Sequence, residues 1–268
     1  MADPAHEHNR RAWDDRVRRR ARHTKSVLAK DLKDPLPILD PEGWLGGNVV
    51  GRRALCLASG GGLQSALLAA AGAEVTVVDL SPAMLELDQR VAAEHGFAIR
   101  IVEGSMDDLN MLAPASFNLV LQPVSTCYVG DLGAVYREVA RVCAPGAVYV
   151  SQHKQPASLQ AGATPASQGY VIHEPYYRRG PLPPILSSCE HREADTREYL
   201  HRWEELVGGL CRSGFVIEDA VEPRQARPSA APGDFGHRSL YLPPYIKLKA
   251  RRVGAIAGSA PVSLLWSK

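Results

Sequence analysis

No apolar run in this 268-residue chain reaches the ~18–20 residues that a membrane-spanning helix needs, so a spanning segment is excluded. The first residues are polar and rich in arginine where a secretory leader would carry an apolar stretch, and no leader is expected. Cysteine is scarce. Cys56, Cys127, Cys143, Cys189 and Cys211 are odd in number and scattered, with no Cys-x-x-Cys pair. That argues against a disulfide framework and suits reduced thiols in a cytoplasm. No His/Cys cluster has ligand spacing, so no metal is expected. An excess of one charge is lacking too: 31 Lys and Arg stand against 29 Asp and Glu, a net +2. By itself this is too near neutral to imply a polyanionic partner. With 45% hydrophobic and 22% charged residues, the chain is no disordered or fibrous sequence. Its length suits one large α/β domain, or one domain with an inserted cap.

What charge there is lies unevenly. Residues 10–25 hold eight Arg/Lys and two Asp, a local +6 that leaves about −4 for the remainder. Residues 9–32 read as one or two amphipathic helices that pack through a narrow face of Trp13, Val17, Val27 and Leu28. From residue 53 the signals alternate. Strands are expected at Arg53–Ala58, Glu74–Val78, Ile99–Glu103, Phe117–Leu121 and Ala147–Gln152, and helices at Gln64–Ala71, Pro82–His95 and Leu132–Ala144. Near-continuous apolar strands alternating with helices predict a doubly wound α/β fold around a parallel sheet. After residue 153 the rhythm changes. Strands are expected at 169–177, 195–201, Phe215–Asp219 and Tyr245–Ala250, with a helix at Trp203–Cys211. The irregular stretches 155–195 and 222–243 read as substrate-side elements, since long loops in a compact domain are usually functional.

The stretch Leu55-Cys56-Leu57-Ala58-Ser59-Gly60-Gly61-Gly62 carries the most chemistry. A strand that ends in three glycines and runs into a helix lets a ligand lie against bare backbone. The helix N-terminus adds N–H donors for a negative group. Asp79 follows 17 residues beyond Gly62, at the end of the next strand, where a carboxylate can accept from both hydroxyls of a ribose. Together these features predict an adenosine-binding crevice.

These motifs resemble those of the class I S-adenosylmethionine-dependent methyltransferases, over roughly residues 50–152 with a looser echo at 200–219. The resemblance implies a mostly parallel seven-stranded, Rossmann-like sheet with S-adenosylmethionine as cofactor. Ala58, Ser59, Gly60, Gly61 and Gly62 fall on the glycine loop and Asp79 on the ribose acid. Leu80 and Met84 fall where apolar side chains flank adenine, and Gly104, Ser105 and Met106 on the segment that meets the adenine edge. Gln122 and Pro123 follow the fourth strand beside the expected methyl group. The chain departs from the family at Cys56, where an acid is frequent, and at Ala58, where glycine is frequent. Ser105 likewise replaces an acid. The implied organisation is a helical lid over 1–48, with Trp13 packing over the cofactor cleft, and a cofactor-binding core over 49–154. A substrate cap over 155–201, the C-terminal part of the core over 202–252 and a tail over 253–268 complete it.

Methyl transfer is an in-line displacement in which the protein mainly aligns the nucleophile, with a base needed only for a protonated acceptor. His153, at the carboxyl end of a strand, is the candidate base, and Tyr128 a candidate to orient the acceptor. Tyr176, Tyr177, Arg178 and His237 are candidate acceptor-binding residues, joined by Tyr170, Arg179 and Arg238. Phenols and guanidinium groups would fit a compact acceptor with an aromatic body and an anionic handle. His191 and His201 are further cap histidines. The expected partner is a small-molecule acceptor rather than a membrane or nucleic acid, with the protein a monomer or homodimer. A nucleic-acid methyltransferase remains the rival reading because of the basic 10–25 segment, although Gln122-Pro123-Val124-Ser125 lacks the Asn/Asp-Pro-Pro-aromatic pattern of base-amine enzymes. A non-catalytic cofactor-binding module is the third.

Overall fold

The computed structural model describes residues 4–185 and 189–253, so most of the expected 253–268 tail lies outside the described residues. Helices α1 (Pro4–Arg18) and α2 (Leu36–Leu39) precede strand β1 (Arg53–Leu57). Then follow α3 (Gln64–Ala70), β2 (Glu74–Asp79), α4 (Pro82–His95), β3 (Ile99–Glu103), β4 (Phe117–Gln122), α5 (Leu132–Val142) and β5 (Cys143–Lys154). Beyond them lie α6 (Pro156–Gln160), the hairpin β6 (Ala161–Ala166) and β7 (Gly169–Ile172), and α7 (Gly209–Arg212). Strand β8 (Phe215–Val221), α8 (Phe235–Arg238) and β9 (Tyr245–Arg252) complete the described chain.

Seven strands form one sheet in the order β3-β2-β1-β4-β5-β9-β8. Strands β1 to β5 are parallel, and β9 runs antiparallel to both β5 and β8. The chain winds outward from β1 to β3, then restarts on the other side of β1 with β4. A ligand crevice belongs at that reversal, outside the carboxyl ends of the strands. Both sheet faces are covered, which is why the strands read as apolar runs. Leu55 and Leu57 pack with Val120, Val139 and Tyr149 on one face, and Ala54 and Cys56 with Leu68, Val77 and Leu85 on the other. Among the described residues no helix is long and apolar enough to cross a membrane.

Local signals fix several boundaries. Ser81 caps α4 by accepting the Met84 N–H at 3.2 Å, Pro82 occupies the first turn, and Gly96 ends the helix at φ +70°. Asp131 caps α5 by accepting the Ala134 N–H at 3.1 Å. Elsewhere the structure departs from the sequence reading. The expected N-terminal helix stops at Arg18, because Arg20 and His23 take left-handed φ of 51° and 67° and turn the chain across the sheet. The expected strand at 169–177 ends at Ile172. No strand forms at 195–201. Its backbone ties two loops instead: the Leu182 N–H donates to the Glu198 carbonyl and the Tyr199 N–H to the Cys127 carbonyl, each at 2.6 Å. The expected Trp203–Cys211 helix does form, with a π-helical turn at Glu204–Gly208 leading into α7.

Candidate active site

A cavity of about 400 Å³ opens at the carboxyl ends of β1, β2, β4 and β5, beneath α1. Its first wall is the loop after β1. A Cβ on Gly60 would stand 2.8 Å from Met84 Cβ and 3.1 Å from Asp79 Cβ, so only glycine fits between these side chains. Gly61 and Gly62 are held at φ +119° and +75°, which favour glycine. Ala58 takes φ +47° where the family resemblance led us to expect glycine, and so carries backbone strain.

The Asp79 carboxylate fastens this loop to the next strand. One oxygen accepts the Gly60 N–H at 2.8 Å and the other the Ser81 N–H at 2.9 Å. Burial pushes its pKa up, against the pull of these donors. Each oxygen keeps a second lone pair, and Asp79 lines the cavity, so it can accept ligand hydroxyls there.

The sequence reading missed the acid behind the loop. Asp88, on α4 and fully buried, accepts the Gly61 N–H at 2.8 Å and a hydrogen bond from Ser65 Oγ. Burial raises its pKa to about 6. A carboxyl raised above its unfolded value folds best when protonated, so its contribution is full below about pH 4 and lost as pH rises through about 6. Asp88→Asn keeps an acceptor for Gly61 and removes the buried charge. Its stability advantage over the parent is expected to grow between about pH 4 and 6 and to level off near 2–3 kcal/mol above that. Urea unfolding at several pH values checks this, and a pH-independent difference would contradict it.

Leu80 and Met84 form an apolar side of the cavity, and Gly104, Ser105 and Met106 from the loop after β3 lie across from them. Pro123, Val124, Ser125 and Tyr128 form the wall that follows β4. Helix α1 roofs the space with His6, Asn9 and Trp13. Three polar links fasten that roof. The Asn9 amide donates to the carbonyls of Tyr128 at 3.0 Å and Arg197 at 3.1 Å and accepts the Arg197 N–H at 2.7 Å. Asp14 accepts from Ser81 Oγ at 2.6 Å, and His6 pairs with Asp107 at 3.0 Å. Trp13 meets the Tyr128 ring edge-on, with centroids 5.8 Å apart.

Comparison with known proteins places this arrangement. Residues 55–151 match the model of a methyltransferase domain family. Over 232 residues the chain is 32% identical to the uncharacterized methyltransferase YbaJ of Bacillus subtilis, covering 81% of this chain and 90% of that protein. The chain belongs to the class I S-adenosylmethionine-dependent methyltransferases. An S-adenosylmethionine-dependent methyltransferase from Mesorhizobium loti superposes with a TM-score of 0.63 at 25% identity, over 82% of this chain and all of that one. The ubiquinone biosynthesis O-methyltransferase of Xanthomonas euvesicatoria is 33% identical over 98 residues, which span 37% of this chain and 41% of that enzyme. The cofactor of this methyltransferase is S-adenosylmethionine.

The methyltransferase brings most of the sequence-derived cofactor residues to one cavity: Trp13, Ala58, Ser59, Gly60, Gly61, Asp79, Leu80, Met84, Gly104, Ser105, Met106 and Pro123 all line it, as does Tyr128. Gly62 and Gln122 are corrected to supporting positions. A Cβ on Gly62 would meet Val91 on α4 at 2.9 Å, so this glycine faces the helix behind the loop. Gln122 lies buried below the post-β4 loop, donating to Ser125 Oγ at 2.9 Å and accepting from the Tyr149 hydroxyl.

The expected base is also corrected. His153 is fully buried, with Nδ1 2.9 Å from Thr126 Oγ1 and Nε2 2.8 Å from Ser151 Oγ. Burial lowers its pKa to about 3, so the ring is neutral at physiological pH, and it does not reach the cavity. Strand alternation turns its neighbours Gln152 and Lys154 to the cavity instead. The expected acceptor-binding residues lie elsewhere too. Tyr176 accepts the Trp203 N–H at 3.1 Å, Tyr177 is 76% exposed, and Arg178 pairs with Glu174 at 2.7 Å. His237 is 2.9 Å from the Tyr170 hydroxyl, and buried Arg238 donates to the carbonyls of Ser158, Ala161 and Gly162. His237 and Arg238 of α8 tie down the cap hairpin through Tyr170, Ala161 and Gly162, and none of the expected acceptor-binding residues lines the cavity. The cap instead contributes Glu193, Gln225 and Phe235, joined by Tyr245, Lys154 and His23.

Proposed function

We propose that this methyltransferase modifies a small-molecule acceptor enclosed with its cofactor under α1. The supporting observation is that the glycine loop and the Tyr128–Glu193 end line one cavity, roofed by α1 and flanked by the cap. The residues fit the cofactor. Gly60 leaves bare backbone at the wall, Asp79 offers two oxygens to ribose hydroxyls, and Leu80, Met84 and Met106 offer apolar contact to adenine. When bound, S-adenosylmethionine supplies an electrophilic methyl carbon. The chain's own residues do the rest. Asp79 and the loop fix the ribose, Trp13 and Asn9 keep α1 closed against water, and Tyr128 with the cap holds the acceptor in line.

The basic N-terminal segment supports this reading over nucleic-acid binding. Arg10 and Arg11 pair with Glu7, Arg18 with Asp15, and Arg22 with Glu190, so much of the positive charge is matched locally. Buried Cys56, Cys127 and Cys143, each pushed up by burial, support a cytoplasmic, reducing location.

Transfer of labelled methyl groups to a panel of amines, phenols and carboxylic acids tests the proposal, with RNA as the competing acceptor. Transfer to RNA alone would overturn it, and binding without any transfer would favour a non-catalytic module. Removing residues 1–30 is expected to weaken cofactor binding on the order of tenfold while the core stays folded. Undiminished calorimetric affinity in a folded truncation would refute the roof's role.

A further inference from the structure

The acceptor end of the cavity is built on a buried ion-pair cluster that includes one cavity-lining carboxylate. Glu193 accepts the Tyr128 O–H at 2.9 Å and a Lys154 N–H at 2.8 Å. Lys154 also donates to Glu198 at 2.5 Å, and Arg192 pairs with the other Glu198 oxygen. The Lys154 side chain is 3% exposed, that of Glu193 10%, and that of Glu198 fully buried. Of the four charged residues, Lys154 and Glu193 line the cavity, as does Tyr128. With Arg192 the cluster holds two cations and two carboxylates, and Glu193 is the carboxylate that meets the cavity. His23 and Tyr245 also line the cavity and feel Glu193. Burial lowers His23 and raises Tyr245 to about 12, so both face the space as neutral groups. Arg22 and Lys25 line it as solvent-exposed side chains.

Burial alone would raise the Glu193 pKa, but Lys154 and Tyr128 outweigh it and hold it below the usual carboxylate range. A base works best with a pKa near the operating pH, so this carboxylate is poorly matched to taking a proton from a phenol. It stays ionised and lines the cavity beside Tyr128, Phe235 and Tyr245, so it can accept an N–H from a ligand and stabilise charge developing on that nitrogen.

We propose that the acceptor is a small amine that donates an N–H to Glu193, with the carboxylate stabilising the positive charge that develops on the attacking nitrogen. The inference rests on the small-molecule reading above. The neutral amine's lone pair forms the new N–C bond. The S–C bond breaks with its electron pair going to sulfur, and the positive charge passes from sulfur to nitrogen beside Glu193. The surplus proton leaves the methylated nitrogen for water afterwards, so the protein need not store it.

The test compares N-methylbenzylamine, cationic at neutral pH, with benzyl alcohol by calorimetry on the full chain saturated with S-adenosylhomocysteine. The amine is expected to bind about tenfold tighter, and Glu193→Gln to reduce that preference to about twofold or less with S-adenosylhomocysteine affinity unchanged. Equal binding of the two probes, or a preference that survives Glu193→Gln, overturns the proposal. Should the variant not hold S-adenosylhomocysteine, the parent protein decides alone, and absence of an amine preference overturns it. Turnover adds an independent arm. Methylation of phenol but not of aniline would sink the amine assignment and leave small-molecule transfer standing. No turnover with any small acceptor, beside an intact amine preference, would count against the small-molecule reading and not against the amine site.

Discussion

Asp79→Ala is expected to weaken S-adenosylmethionine binding by ~10–150-fold, the equivalent of losing ~1.5–3 kcal/mol of charge-assisted hydrogen bonding. The carboxylate accepts the Gly60 and Ser81 N–H groups and lines the cavity, so its loss removes both the ribose acceptor and the clamp on the loop. Asp79→Asn separates these roles. It keeps an acceptor for one backbone N–H but loses the charge, and should fall between the parent and the alanine variant. Calorimetry with S-adenosylmethionine and S-adenosylhomocysteine reads the effect, and unchanged affinity in Asp79→Ala would refute the proposed ribose contact.

Lys154→Met is expected to destabilise the fold by ~3–5 kcal/mol, because removing one partner of a buried ion pair strands the other. Here two carboxylates, Glu193 and Glu198, lose the ammonium that both accept from, and Arg192 remains to pair with Glu198. In a chain of this size the loss corresponds to a drop of roughly 5–9 °C in Tm. Adding Glu193→Gln removes the carboxylate left without a cation and should recover part of the loss. Thermal unfolding of the single and double variants checks this, and a double variant less stable than Lys154→Met would show that the cluster is not held by charge balance.

The elements around the cofactor were legible because their determinants are local. Helix α4 spans Pro82–His95 as its bounding Ser81 and Gly96 suggest, and the glycine loop and Asp79 meet because β1 and β2 are adjacent parallel strands. The acceptor end and the acid behind the glycine loop were not legible, for three physical reasons. Alternation along β5 puts His153 and Lys154 on opposite faces, but which face meets the cavity depends on how the sheet is covered. Glu193 sits in an irregular segment, placed by a hydrogen bond to a residue 65 positions earlier, and no periodicity marks it. Asp88 reads as an ordinary helix acid, and only the packing of α4 against the glycine loop buries it. The phenols and guanidinium groups expected to bind the acceptor misled for the converse reason. Most pair within the protein, Tyr170 with His237, Arg178 with Glu174 and buried Arg238 with three carbonyls.

A crystal structure of the complex with S-adenosylhomocysteine tests the central claim most directly. The account predicts the ribose hydroxyls on the Asp79 carboxylate, the adenine between Met84 and Met106, and the sulfur open toward Tyr128 and Glu193 with α1 closed above it. A ligand bound outside this cavity, or an α1 displaced so that the acceptor end becomes an open surface groove, would contradict it.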